Sequence, residues 1–378
     1  MDNAAVYKER FDRIKKTINL EPVDRVPLIF MGTAFAARYA GITMAEYCRS
    51  SNSSLKANMK VMDDYEFDGA NMPGGGRITP ILTSMWMSKI AVPGRELPED
   101  SLWQVMESEV LTHEDYDTIL KIGWGKFVNK YLPRVISMWE FVPAMMQYLM
   151  VFPAIQKTYK KGGYVVIVDS DARNPTIPFE YLCGGRSMNQ FFFDLYRIPD
   201  KVQAVMDVML EETLAAIAKL KPAPGKINGT WVGGWRSASS LVAPKLWDRF
   251  VWPYYLRIIE ALIEVGVTPV LHWDQDWTRD LVRLQELPAK KVVLNLDGMT
   301  DLKEFRKLAG DRMAMMGDIP ASILAVGAPE DVDKYVKEQI ELFEGKGLLL
   351  CAGCDAPINT KPENMQAFVD AGRKYGTF

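Results

Sequence analysis

Short apolar runs alternate with helical segments along the whole chain, and this alternation constrains the fold more than any other feature. Eight runs have the composition of strands, and the segments between them space their apolar residues as helices do. The runs are residues 25–32, 67–72, 164–169, 227–231, 268–271, 292–296, 313–316 and 348–351. Strands alternating with helices form parallel sheets, and eight over this length favour a closed barrel. The sequence therefore predicts an α/β fold, a single (β/α)8 TIM barrel.

The pattern also predicts how the chain is organised. No stretch rich in glycine, serine or proline divides the 378 residues, so we expect one barrel domain over residues 25–378. Residues 4–19 have helical spacing and predict an N-terminal helical extension over residues 1–24. Residues 44–62 are predicted to be a helical stretch. The apolar stretch 139–155 contains Glu140 and two prolines, so it predicts a buried helix or a lid rather than a membrane span.

Composition excludes several classes of protein. The chain is 48% hydrophobic with a formal net charge of −3, which is typical of a globular protein with a large core. Because no stripe of lysine and arginine is present, nucleic acid is not expected as a partner. No secretory signal is recognisable, and four cysteines are too few for a disulfide framework. We expect a cytoplasmic protein without membrane contact, and the sequence leaves its oligomeric state open.

The chain has only two histidines, and one of them lies where chemistry is expected. His272 follows the apolar run 267–271, and Asp274 and Asp276 come directly after it. Cys354 follows the last predicted strand. Since the carboxyl ends of barrel strands carry the active site, these side chains should converge. An imidazole, a carboxylate and a thiolate are ligands of zinc sites that keep one position open.

Structural roles remain alternatives for each of these residues. A single histidine at a strand end is often only hydrogen-bonded, and a cysteine there often packs as a small buried side chain. Asp274 or Asp276 could cap the helix that follows. Asp169, Asn174 and Asn295 also lie at predicted strand ends, where we expect them to bind substrate unless they serve as caps or rim ion pairs.

The order of several motifs is similar to that of a known family. The motifs are Glu9-Arg-Phe-Asp-Arg-Ile14, Pro22-Val-Asp-Arg-Val-Pro27, Pro178-Phe-Glu180 with Gly184-Gly185, Pro199-Asp-Lys-Val202, Pro253-Tyr-Tyr-Leu256, Gly317-Asp318 and the closing segment 362–376. Over residues 5–376 the chain resembles the uroporphyrinogen decarboxylase superfamily and, within it, the cobalamin-dependent methyltransferases. The resemblance implies the same barrel fold.

Two branches of this family differ in their sites. The decarboxylases hold a tetrapyrrole polycarboxylate with arginines after the first strand, where this chain offers only Arg38. The methyltransferases carry zinc on a His-x-Cys pair and on a distant cysteine that follows a glycine. The matching positions here are His272, Asp274 and, after Gly353, Cys354. The resemblance therefore implies zinc on these three residues, with aspartate in place of one cysteine and Asp276 as a reserve ligand.

The aspartate has a chemical consequence. A carboxylate ligand leaves zinc harder than a thiolate does, and so better matched to oxygen. Such a zinc could act as a Lewis acid on an ether oxygen while the methyl group leaves, with Asp276 as the acid that protonates the product. Aromatic residues near strand ends suit a flat donor, and we expect Tyr181, Trp235 and Trp273 to contact it.

The corrinoid must then be supplied by another protein, because the Asp-x-His-x-x-Gly motif of base-off corrinoid carriers is absent from the sequence. The expected function is a zinc-dependent methyltransferase, the first component of an O-demethylase, that methylates a partner's cobalamin. Alternatives are a corrinoid-to-thiol methyltransferase, a decarboxylase-like enzyme and a non-catalytic binding barrel. A redox role for Cys351-x-x-Cys354 is a further, weaker alternative.

Overall fold

A computed structural model of the protein describes residues 2–74, 78–170 and 175–378. Ten strands lie in this described part: β1 Ile29–Phe30, β2 Gly69–Ala70, β3 Lys89–Ala91, β4 Gln104–Met106, β5 Val165–Val166, β6 Gly229–Trp231, β7 Thr268–Trp273, β8 Val293–Leu296, β9 Ala314–Ile319 and β10 Leu348–Ala352. A parallel sheet has the order β1-β2-β5, and a second has the order β10-β9-β8-β7-β6. Strands β3 and β4 pair as an antiparallel hairpin.

Backbone contacts join the edges of the two parallel sheets. Leu28 and Leu350 form a parallel bridge that connects the start of β1 with β10. On the other side, Gly229 N donates to Ile167 O at 3.2 Å, and Ser170 N donates to Gly229 O at 3.0 Å, which connects β5 with β6. The eight parallel strands therefore follow one another around a ring, and the predicted (β/α)8 barrel is confirmed.

Helices surround this ring. The described part of the chain contains one 3₁₀ helix, Thr278–Glu286, and the following α-helices: α1 Asn3–Ile18, α2 Thr33–Tyr39, α3 Met44–Arg49, α4 Ser51–Tyr65, α5 Ile78–Trp86, α6 His113–Ile122, α7 Trp124–Val135, α8 Met138–Lys161, α9 Pro178–Arg186, α10 Met188–Arg197, α11 Pro199–Ile217, α12 Pro244–Phe250, α13 Trp252–Glu264, α14 Leu302–Ala309, α15 Ala321–Val326, α16 Pro329–Phe343 and α17 Pro362–Tyr375.

Helix α1 lies at the amino ends of the first two barrel strands. Arg13 of α1 donates to Asp68, which precedes β2, at 2.9 Å, and Arg25 donates to the same carboxylate at 2.6 Å. Ile14 and Ile18 pack against the residues that fill the barrel interior. This position agrees with a helical extension before the barrel, and the boundary at residue 24 stays a prediction.

The predicted helical stretch 44–62 consists of two helices, α3 and α4, which are divided at Ser50. The hydroxyl of Ser50 accepts a hydrogen bond from Ser53 N and so begins α4. Helix α8 is not buried: Trp139 is 92% exposed and Met150 is 76% exposed, because one side of α8 covers the barrel mouth and the other faces solvent. Of the two alternatives, the structure excludes the buried helix.

The length and apolar composition of α8 raise the question of a membrane span. No single helix in the described residues is long and apolar enough to cross a membrane, although α7 and α8, bent by 119°, pass the test of length and composition as a pair.

Candidate metal centre

Strand β7 carries the imidazole into the barrel. Successive side chains of a strand point to opposite faces, so His272 and Trp273 face different layers. His272 lines the cavity at the barrel mouth. Trp273 is buried on the outer side, where its ring stacks on Trp277 with centroids 4.2 Å apart and meets Tyr255 of α13 edge-on. The structure therefore does not bring Trp273 to the substrate cavity, because strand alternation turns it into the helix layer.

Three potential ligand atoms converge at the carboxyl ends of the strands. His272 Nε2 lies 3.5 Å from Asp274 Oδ1 and 3.8 Å from Cys354 Sγ. All three atoms lie within 4.8 Å of one another. Atoms that bind one tetrahedral zinc at ordinary bond lengths lie about 3.3–3.8 Å apart, so the observed separations suit such an ion.

Local backbone contacts hold the two loop residues in place. Asp274 N donates to Gly234 O at 3.0 Å, which joins the end of β7 to the loop after β6. Cys354 follows Gly353, which passes so close to the backbone of Asp297 that an added Cβ would lie 2.6 Å from its carbonyl carbon. Only glycine allows this approach, and it carries the thiol over the intervening strands toward His272.

The electrostatics of the group favour a bound cation. Burial, followed by the nearby carboxylates of Asp274, Asp355 and Asp297, raises the pKa of the Cys354 thiol well above its usual range. Burial likewise raises the pKa values of Asp297 and Asp355. Asp274 Oδ1 is buried and accepts no hydrogen bond from the described residues. A cation would satisfy this oxygen and stabilise the thiolate, so the donor set fits zinc.

A hydrogen-bond network holds the imidazole from behind. His272 Nδ1 lies 2.7 Å from Asn295 Oδ1, and Asn71 Nδ2 donates to the same oxygen at 3.1 Å. The ring of Trp231 stacks on the imidazole, with centroids 4.3 Å apart and planes 9° from parallel. Asn295 was expected to bind substrate, but its side chain is fully buried and contacts the histidine instead. Sequence analysis missed Asn71, which follows β2 without any motif to mark it.

The centre opens into a cavity of about 300 Å³. Helix α8 forms part of its wall with Val151 and Ile155, and the predicted site residue Trp235 contributes to another part. Aromatic side chains account for much of the remaining lining: Trp86, Trp103, Tyr148, Phe152 and Trp231. A flat apolar molecule could therefore reach the three ligand atoms.

Glu180 fixes the wall that contains Trp235. This buried carboxylate accepts hydrogen bonds from Trp235 N at 3.1 Å, from Ser237 N at 2.8 Å and from the Ser237 hydroxyl at 2.6 Å. Burial raises its pKa. Sequence analysis named Glu180 only as part of a family motif, and its position in the cavity lining gives that motif a structural reason.

Three other predicted site residues do not join the centre. Asp276 Oδ1 accepts from Thr278 N at 2.8 Å, which forms an Asx turn just before the 3₁₀ helix, whose N-cap is Trp277. Tyr181 packs on Trp124 with ring centroids 5.7 Å apart, outside the cavity. Asp169 is buried, its backbone carbonyl accepts from Lys226 Nζ at 3.2 Å, and it is not among the described residues that line the cavity. Asn174 lies outside the described residues.

Known proteins resemble the chain in sequence and in fold. A profile of the uroporphyrinogen decarboxylase (URO-D) family matches residues 9–87 and 142–375. A uroporphyrinogen decarboxylase of Syntrophotalea carbinolica is 26% identical over 182 residues, which cover 47% of this chain and 49% of that protein. The methylcobamide:CoM methyltransferase MtbA of Methanosarcina mazei is 24% identical over 135 residues, 36% of this chain and 38% of that protein.

These two alignments span less than half the length of either relative. Another uroporphyrinogen decarboxylase, from Hydrogenovibrio crunogenus, is 20% identical over 95% of this chain and 96% of its own length. Among solved structures, a methyltransferase from Methanosarcina mazei superposes with a TM-score of 0.69 at 15% identity and covers 97% of this chain and 98% of its own. At that identity the likeness shows the fold alone.

Proposed function

Because the chain belongs to the uroporphyrinogen decarboxylase family, we propose that it is a zinc-dependent methyltransferase, which moves a methyl group from a small methylated donor to the cobalt of a separate corrinoid protein. The relative MtbA is named for methylcobamide chemistry, which supports a corrinoid as the partner cofactor. The observation that carries the proposal is the convergence of His272 Nε2, Asp274 Oδ1 and Cys354 Sγ within 4.8 Å at the floor of the cavity.

The chain's own residues have distinct roles in this proposal. His272, Asp274 and Cys354 hold the zinc, which when bound supplies Lewis-acid polarisation of the atom that releases the methyl group. Asn295 fixes the imidazole. The apolar walls orient the donor and exclude water around the reacting group. The leaving oxygen receives its proton from solvent, since Asp276 is not among the described residues that line the cavity.

We propose a methoxylated aromatic compound as the donor. The aspartate ligand makes the centre harder than one with two thiolates, so an ether or phenolic oxygen is a better match than sulfur. Trp86, Trp103 and Trp231 line the cavity, and aromatic walls of this kind hold planar rings by stacking. Among the described lining residues no lysine or arginine occurs, so an uncharged or weakly charged donor suits the site.

A decarboxylase that binds a polycarboxylate fits this site less well. Each substrate carboxylate requires a charged or hydrogen-bonding partner. Arg38, the single arginine in the stretch after β1, is exposed and donates to Ile358 O at 3.4 Å instead of facing the cavity.

The proposal is tested by mixing the purified protein with a Co(I) corrinoid protein and a panel of methoxyarenes, methylamines and methyl thioethers. Methylation of cobalt is followed by absorbance. We expect transfer from methoxyarenes, none without the corrinoid protein, and no tight binding of free cobalamin to this chain. If only a methyl thioether methylates the cobalt, the proposed methoxyarene donor is wrong, and the result favours the alternative of a methyltransferase that acts on thiols. Absence of both bound metal and transfer in clean preparations would favour a binding barrel.

A further inference from the structure

The direction of the hydrogen bonds behind His272 is fixed at both ends of the network. Trp231 Nε1 donates to Asn71 Oδ1 at 3.0 Å, and an indole nitrogen can only donate. Asn295 Nδ2 donates to Met316 O at 3.0 Å, and a carbonyl oxygen can only accept. Between these ends, Asn71 Nδ2 donates to Asn295 Oδ1 at 3.1 Å.

Neither amide can be reversed without a penalty. Turning the Asn295 side chain over would set its NH₂ group against that of Asn71 and its oxygen against Met316 O. Turning the Asn71 side chain over would set two donors, its own NH₂ and the Trp231 N–H, against each other. Both asparagines are fully buried, so water cannot repair such contacts, and each unpaired group would be costly.

The remaining contact of Asn295 Oδ1 is with His272 Nδ1 at 2.7 Å. An amide oxygen accepts, so the histidine nitrogen that faces it must carry the proton. We infer that Asn295, supported by Asn71 and Trp231, is a positioning residue that holds His272 as the Nδ1–H tautomer and leaves the Nε2 lone pair for the metal centre. A metal-binding histidine is commonly oriented by such an acceptor on its second nitrogen.

The network connects strands that are not neighbours. Asn71 follows β2, Trp231 lies on β6 and Asn295 lies on β8, so the chain of bonds crosses the barrel interior. Trp231 acts twice, because its ring also stacks on the imidazole. The orientation of the histidine is therefore set by the closed barrel and not by β7 alone.

The inference rests on the proposed function for the identity of the metal, but the tautomer itself is measurable without metal. Protein labelled with ¹⁵N-histidine and freed of metal by a chelator is examined by NMR at pH 8, where an imidazole is neutral. Comparison with His113→Gln assigns the signals, because the chain has only two histidines. We expect His272 to carry its proton on Nδ1. A predominant Nε2–H form would overturn the inference.

Variants separate positioning from general stability. Asn295→Leu should lose the tautomer preference and weaken zinc binding about 10- to 100-fold. Asn295→Asp keeps an acceptor oxygen and should keep the Nδ1–H form. Asn364→Leu, which removes another fully buried amide on α17, should change neither readout. If Asn295→Leu binds zinc as tightly as the parent protein and His272 keeps its proton on Nδ1, the inference is wrong.

A further variant covers the case in which Asn295→Leu does not fold. Trp231→Phe keeps an aromatic ring beside the imidazole but removes the N–H that fixes Asn71. It should weaken zinc binding by less than Asn295→Leu and broaden the tautomer distribution, and an unchanged tautomer and affinity would contradict the inference. If the parent protein has the Nδ1–H form but never binds zinc, the proposed metal function fails while the positioning role stands.

Discussion

Cys354 Sγ lies 3.8 Å from His272 Nε2, although 82 positions separate the two residues in the chain. Burial, followed by the nearby carboxylates, raises the pKa of the thiol, so a thiolate is unfavourable there until a cation joins the group. Thiolate formation and metal binding are therefore coupled, and binding should release a proton. Each of the three proposed ligands can be tested through this coupling.

Removing a ligand should abolish stoichiometric zinc. We expect His272→Ala and Cys354→Ala each to lose tight zinc binding and methyl transfer, because each removes one of three protein ligands. Metal analysis of the purified variants is the measurement. His113→Ala is the matched control. His113 lies at the start of α6, and its Nε2 is hydrogen-bonded to Asp194 Oδ1 at 2.7 Å, so its replacement should leave the zinc content unchanged. Zinc retained in both ligand variants would place the metal elsewhere.

Exchanging the oxygen ligand for sulfur should change the donor preference. Asp274→Cys should still bind zinc, since thiolate is a good ligand, but the softer centre should favour methyl thioethers over methoxyarenes. Relative rates of cobalt methylation for the two donor classes measure the change. An unaltered ratio together with full zinc occupancy would show that the ligand at position 274 does not set donor class.

The close approach at Gly353 predicts a large effect of one methyl group. In Gly353→Ala the new Cβ would lie 2.6 Å from the Asp297 carbonyl carbon, so the segment must shift and carry Cys354 with it. We expect a loss of about 1–3 kcal/mol in unfolding free energy and weaker zinc binding, measured by thermal denaturation and titration.

Gly125→Ala is the control for this change. Gly125 lies in α7, where the nearest atom to an added Cβ is a side-chain oxygen of Glu212 at 3.3 Å. The zinc affinity of Gly125→Ala should equal that of the parent protein. If Gly353→Ala behaves in the same way, the close approach does not determine where the thiol lies.

Replacing Asp169 by asparagine should increase the stability of the protein by an amount that depends on pH. Burial raises its pKa from 3.8 to about 6, against the attraction of Lys226, and its Oδ1 has no hydrogen bond within the described residues. The folded state binds the proton more tightly than the unfolded chain, so this group favours folding below pH 4 and loses that contribution as the pH rises through 6. Asp169→Asn should therefore raise the unfolding free energy at pH 7–8 by about 2–3 kcal/mol.

The same substitution should have little effect below about pH 3, where this carboxyl is protonated in both the folded and the unfolded parent protein. Urea denaturation at several pH values measures the difference. A gain that does not depend on pH would contradict the assignment to this carboxyl. Because Asp169 lies away from the cavity, methyl transfer by Asp169→Asn should be unchanged, in contrast to the role in substrate binding that the sequence predicted.

The barrel and three of its potential ligands could be predicted because they depend on local patterns. Strand and helix periodicity marks the eight barrel strands, and a histidine or cysteine after an apolar run marks a carboxyl end. Strand ends marked His272, Cys354 and two candidate aspartates, the family resemblance implied Asp274 as the carboxylate of the set, and the structure brings these three residues together. Trp235 also reached the cavity, because it follows β6.

Some predictions of site residues were wrong where the direction of a side chain mattered more than its place in the sequence. Trp273 is adjacent to His272 but points to the opposite layer. Asp276 was expected as a ligand or a cap, but its Oδ1 accepts from Thr278 N in an Asx turn before the 3₁₀ helix, a geometry that the loop decides. Asn71 gave no local indication at all, since its role arises only when the barrel closes and brings it to Asn295.

The position of Asp274 separates the chemistry of the centre from the stability of the barrel. His272 lies within β7, paired in register with Asn295 of β8, so its replacement disturbs a packed ladder. Asp274 instead follows the last residue of the strand, and its Oδ1 makes no hydrogen bond in the described structure. If the proposed zinc is bound there, a substitution at position 274 would change the hardness of the metal while leaving the packed strands of the barrel in place. Donor class and folding stability would then be adjustable separately in this scaffold.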